Sequence, residues 1–123
     1  MNKFKRLLLA LILVIFMIAP CFAQARYGLT VTPVATDTAS ALGAGTWVYG
    51  IGIYASSAAA AIGIYDTATL GAASNTNVKG EAGQATQYVS TTVWFEKPIY
   101  FSTAVTAIVN NGVGFIYSGP EPN

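Results

Sequence analysis

The chain has 123 residues with six basic and five acidic side chains, one Cys, two Met and no His. The Cys, both Met and three of the basic residues fall within the first 25 positions, so residues 26–123 carry three basic against five acidic groups, a formal charge of −2. A weakly acidic chain offers no electrostatic footprint for a phosphate backbone, which argues against nucleic-acid binding, and without His or Cys the Ser-His-Asp and Cys-His arrangements and the usual zinc and copper ligand sets are excluded.

Residues 1–25 have the three parts of a cleavable, helical signal peptide. Lys3, Lys5 and Arg6 form a basic start, residues 7–19 are an unbroken apolar run that ends at Pro20, and Ala23-Gln24-Ala25 places small residues at both positions a signal peptidase must fit. Thirteen apolar residues rise only about 20 Å as a helix, short of the ~30 Å hydrocarbon core, which favours a cleaved signal over a permanent anchor. Cleavage is expected between Ala25 and Arg26, giving a secreted protein, periplasmic or extracellular, with no membrane attachment afterwards. Cys21 matches a lipid-attachment cysteine only loosely, because Pro20 stands where that motif has Gly, Ala or Ser. Residues 26–123 then form one domain, an N-terminal strand and linker (26–45) followed by the body (46–123). Lacking Cys, it has no intramolecular disulfide, and packing or assembly must stabilise it.

From residue 27 the pattern is β almost throughout. Tyr27, Leu29 and Val31 alternate with Gly28, Thr30 and Thr32 before Pro33, the period-2 signature of a strand with one buried face. Residues 33–46 are rich in Thr, Ala, Ser and Gly and read as a loop with room for a short strand. In residues 47–54, Trp47, Tyr49, Ile51 and Ile53 fall on one face and Val48, Gly50, Gly52 and Tyr54 on the other. After a turn at residues 55–58, a strand over 59–65 repeats Ile51-Gly52-Ile53-Tyr54 as Ile62-Gly63-Ile64-Tyr65. The repeat is either a hairpin with facing isoleucines or a chance echo in a Gly-, Ala- and Ile-rich chain.

Residues 66–84 read as a long irregular connection with a short strand near Thr69-Leu70. Residues 85–97 are β-rich until Pro98 stops or edges the strand, and Ile99-Tyr100-Phe101 begins another strand or a bend. Residues 104–109 and 113–117 flank Asn110-Asn111-Gly112, whose tolerance of positive φ predicts a type I′ hairpin. Six to eight short strands predict an all-β fold, a single small β-sandwich of jelly-roll or immunoglobulin-like type.

Ile62-Gly63-Ile64-Tyr65-Asp66 with its small-residue loop, then Pro98-Ile99-Tyr100-Phe101-Ser102, then a closing hairpin with an aromatic strand, together resemble small β-sandwich proteins of tailed-phage virions. The resemblance spans roughly residues 46–117 and implies a sandwich that builds a surface rather than turning over a substrate. The leader departs from it, since virion subunits of that kind assemble in the cytoplasm.

Among carboxylates, a glycosidase-type pair would have to come from Asp37, Asp66, Glu81 and Glu96, yet each reads more simply as a turn, loop or strand-end residue. These residues show no loop spacing for calcium, and no metal or other cofactor is expected. A Lys-Asn isopeptide bond would require Lys79 or Lys97 to be buried. The aromatics Trp47, Tyr49, Tyr54, Tyr65, Tyr88, Trp94, Tyr100 and Tyr117 are many for the length. Core packing is the simpler account of Trp47 and Phe115, while Tyr54, Tyr65, Tyr88 and Trp94 are candidates for an exposed face that stacks on sugars. The expectation is a secreted, non-enzymatic subunit whose partner is itself, a homo-oligomer or polymer joined through strand edges that few Lys residues guard, with Tyr27, Leu29 and Val31 as the assembly strand. The alternative partner is a surface carbohydrate.

Overall fold

The computed structural model describes residues 2–8 and 28–123. Residues 3–8 form a short helix. The cleavage residues Ala23, Ala25 and Arg26, and Tyr27 of the N-terminal strand, lie outside the described residues.

Eight strands follow: β1 (Thr30–Val34), β2 (Thr38–Leu42), β3 (Thr46–Ala55), β4 (Ala60–Asp66), β5 (Val78–Gln84), β6 (Ser90–Phe101), β7 (Val105–Asn110) and β8 (Gly112–Gly119), with one 3-10 turn at Leu70–Ala72. They make two four-stranded sheets, ordered β1-β8-β3-β6 (sheet A) and β2-β7-β4-β5 (sheet B), antiparallel throughout and packed face to face as a sandwich. β1 pairs with β8, β2 with β7, β3 with β6 and β4 with β5, so the chain is doubled back on itself about the β4–β5 connection. Every connection except that one carries the chain from one sheet to the other.

The expected Asn-Gly hairpin, and the hairpin alternative for the Ile-Gly-Ile-Tyr repeat, are therefore corners between sheets. The Ile-Gly-Ile-Tyr repeat lies on β3 in sheet A and β4 in sheet B, and Ile51, Ile53, Ile62 and Ile64 are all buried in the core. Side by side in one sheet, four isoleucines would still need a second apolar layer, whereas in opposed sheets they provide it for each other. The Asn110-Asn111-Gly112 segment likewise joins β7 of sheet B to β8 of sheet A. Asn111 does adopt the left-handed conformation (φ 58°), but its carbonyl accepts hydrogen bonds from the Ser56 and Ser57 amides (3.0 and 3.1 Å) and from the Ser56 hydroxyl (3.0 Å). That ties the β7–β8 corner to the β3–β4 corner. A Cβ at Gly112 would overlap the Tyr54 carbonyl oxygen, so only glycine fits there.

The alternation expected along β3 breaks in its first half. Val48 is opposite Ile99 and Ser118, whereas Gly50 is opposite Trp94 and Tyr117, so Tyr49 is bulged out of both ladders. The bulge resets the pleat. Val48, Ile51, Ile53 and Ala55 are buried, Trp47 and Tyr49 leave the core, and the Tyr49 hydroxyl donates to the Pro120 carbonyl (2.5 Å). Phe115 also lies outward, between the buried Gly114 and Ile116.

Other differences follow from edges. β6 runs straight through Pro98 because it is the outer strand of sheet A, and residues 95–98 bulge opposite Tyr49, where a missing N–H breaks no ladder. β1 contains Pro33 for the same reason, and its inward residues are Thr32 and Val34 rather than the Val31 set, because Val31 is 50% exposed. The sequence pattern of residues 66–84 predicts loop where β5 forms. As the outer strand of sheet B it needs only Ala82 for the core, so its glycines and charges hide it from a pattern search. Near Leu70 the chain forms the 3-10 turn instead of a strand.

The core is closed by Val34, Phe101, Val105, Ala107, Val109 and Ile116 around the four isoleucines. The fully buried Thr106 hydroxyl donates to the Thr67 carbonyl (2.6 Å) and accepts from the Ser40 amide (3.1 Å). Ser40 sits at φ 48° inside the β2 bulge, where residues 39–41 face Thr106 alone. The Thr106 side chain thus replaces the ladder bond that the bulge removes.

Candidate functional site

The outer face of sheet A carries aromatic side chains from β3, β6 and β8, and three of its four strands, β1, β3 and β8, are free of charge. Because Ile51, Ile116 and Val93 point inward, their neighbours point out, and the register lays them in rows: Val31, Tyr117, Gly50 and Trp94 in one, Pro33, Phe115, Gly52 and Thr92 in the next. Tyr54 stands between Val113 and Ser90, and Trp47 between Gly119 and Tyr100. The Trp94 and Tyr117 rings meet above Gly50 with centroids 4.7 Å apart and planes at 47°, and Trp47 meets Tyr100 at 5.0 Å and 43°. Trp94 is 56% exposed, Val31 50% and Tyr100 48%. β1, β3 and β8 contain no charged residue, and Glu96 and Lys97 stand in the β6 bulge. One margin of this face is β1, whose outer edge pairs with no strand among the described residues.

The four aromatics singled out from the sequence do not share a face. Tyr54 and Trp94 lie on sheet A, Tyr65 lies on β4 of sheet B, and Tyr88 is in the β5–β6 connection, exposed and at φ 63°. Its amide donates to the Ala55 carbonyl (2.7 Å), which continues the edge of β3 beyond β6 and fixes the unusual backbone. Tyr117 and Phe115, which join Trp94 in the rows, were hidden by the corner after β7, because a hairpin there would have placed β8 beside β7. Of the proposed assembly strand, Val31 faces outward opposite Tyr117, and Leu29 lies beside Gly119, where a Cβ would come 2.8 Å from Leu29 Cδ2.

Sheet B carries a trough of about 360 Å³ on its outer face, lined by Ala61, Gly63, Tyr65, Glu81, Gly83, Ile108 and Asn110 among others. β4 is its floor and β5 and β7 are its flanks. Gly63 is opposite Glu81 on one side and Ile108 on the other, and Ala61 is opposite Gly83 and Asn110. Tyr65 closes one end. Its ring leans over Gly63, where a Cβ would meet Tyr65 Cε2 and the hydroxyl at 3.0 Å.

Two of the carboxylates serve the backbone. Asp37 Oδ1 accepts from the Val109 amide (2.9 Å). Asp66 accepts from the Thr103 amide (2.9 Å), the Ser102 hydroxyl (3.1 Å), the Ser102 amide (3.3 Å) and the Ala104 amide (3.4 Å). Burial on its own raises the Asp66 carboxyl, but these donors stabilise the anion and together hold it below the ordinary aspartate range. Glu81 is exposed on sheet B and Glu96 exposed on sheet A. Lys79 and Lys97 are exposed, which removes the isopeptide crosslink that would need one of them buried. Among the described residues no three His, Cys, Asp or Glu side chains gather as a metal site requires. No family model, curated protein or solved structure matches the chain.

Proposed function

We propose that this chain is an exported, non-catalytic structural subunit, folded as a jelly roll, that self-associates through the outer face and open β1 edge of sheet A. The aromatic face, free of charge over β1, β3 and β8, carries the reading. Contiguous exposed apolar surface of this kind is unusual on a monomer, and interface centres are rich in Trp, Tyr and Phe and poor in charge. The open edge adds main-chain donors and acceptors that a second chain satisfies by extending the sheet. Pro33 limits that pairing to part of β1, so edge and face act together: the edge sets the register and the rings supply buried area.

The strand order, with β1-β8-β3-β6 opposed to β2-β7-β4-β5, supports a jelly roll over an immunoglobulin-like arrangement. It also favours a second reading, a virion-type subunit, because jelly rolls are common in capsid architecture. Both readings make the protein a building block. Electron microscopy and light scattering of the exported protein, with and without residues 26–33, test the proposal. Filaments, layers or closed oligomers that are lost on deletion support it, and a monomer at high concentration that is indifferent to the deletion contradicts it.

A further inference from the structure

We propose that the trough on sheet B binds a neutral saccharide chain, at a site separate from the assembly face of sheet A. Ala61 and Gly63 put little side chain on its floor, the Tyr65 ring leans over the Gly63 end, and β5 and β7 flank β4 on either side. The volume of about 360 Å³ falls within the range of small-molecule sites.

The lining selects the ligand class. The β4 amides and carbonyls are already paired to β5 and β7, so the floor has no main-chain donors for a peptide. What remains is the Tyr65 ring, the Glu81 carboxylate, the Asn110 amide and the Ile108 side chain. A pyranose presents an apolar C–H face to an aromatic ring and hydroxyls at its rim. Those hydroxyls donate to Glu81, and both donate to and accept from Asn110. Glu81 is the only charged lining residue, so sulfated or carboxylated sugars are repelled and a neutral chain is retained.

The test is an amide- and aromatic-detected NMR titration of the exported protein with cello-, chito-, malto-, xylo- and mannohexaose, each to 10 mM. At least one probe shifts Gly63, Gly83, Asn110 and the Tyr65 ring together. Tyr65→Ala and Gly83→Leu each weaken that binding at least tenfold. Gly83 suits the blocking variant because a Cβ there makes only ordinary contact, 3.6 Å from the Ala60 carbonyl oxygen, so the side chain fills the trough without disturbing the sheet. The proposal is overturned if no probe shifts these residues, if the shifts map to Trp94 and Tyr54, or if a folded Gly83→Leu protein binds as well as the parent. Because sheet A is untouched by either variant, the oligomeric state distinguishes failure here from failure of the assembly reading.

Discussion

The indole of Trp94 lies across Gly50: a Cβ at that glycine would come within 2.6 Å of Trp94 Cε3 and 2.8 Å of the Val93 carbonyl oxygen. The ring cannot relieve this alone, because the second contact is backbone. Gly50→Ala is expected to destabilise the fold by about 1–3 kcal/mol and to lift Trp94 off Tyr117. Chemical denaturation followed by Trp fluorescence reads both effects.

Gly112 gives a sharper contrast. The space a side chain would need there is occupied by the Tyr54 carbonyl, whereas a Cβ at Gly43 meets nothing within 4 Å. Gly112→Ala should cost ~3 kcal/mol, the upper end of overpacking, and Gly43→Ala should stay within about 0.5 kcal/mol of the parent. Thermal melts of the two variants side by side check the corner geometry.

Asp66 clamps the β6–β7 turn through three amides and a hydroxyl. Asp66→Ala should lose roughly 1–3 kcal/mol at neutral pH. Its folded-state pKa is lowered, so the stabilisation is fully present above the unfolded aspartate value and is lost as pH falls through the lower folded one. The gap in stability between the parent and Asp66→Asn should therefore narrow below about pH 4. Urea titrations from pH 7 to pH 2 measure it, and a gap independent of pH contradicts the clamp.

The all-β sandwich class and most of its strands were legible because alternation and β-branched residues mark inward faces locally, whereas β5 was not. Nor was the strand order. Ile51-Gly52-Ile53-Tyr54 and Ile62-Gly63-Ile64-Tyr65 carry the same local signal in a hairpin and in a corner, and what separates them is the non-local burial of one pair against the other. The phase of β3 was lost at Tyr49, since a bulge leaves no mark in a one-residue pattern. Trp94 and Tyr54 were found as exposed aromatics. Their companions Tyr117 and Phe115 came into view only once β8 was placed beside β3, and the trough only once β5 and β7 were known to flank β4.

The proposed export predicts a defined N-terminus. Expressed with its leader in a secreting bacterium, the exported product should begin at Arg26 by N-terminal sequencing, and replacing Ala25 with a large side chain, Ala25→Phe, should leave the leader attached.

Sedimentation equilibrium of the exported protein, compared with Val31→Lys, bears most directly on assembly through sheet A. Val31 is half exposed beside Tyr117 at the open edge, so the lysine adds a charge to the interface without entering the core. The parent should show concentration-dependent association that the variant lowers at least tenfold. A parent that remains monomeric across the accessible range, or a variant that associates equally well, would contradict the account.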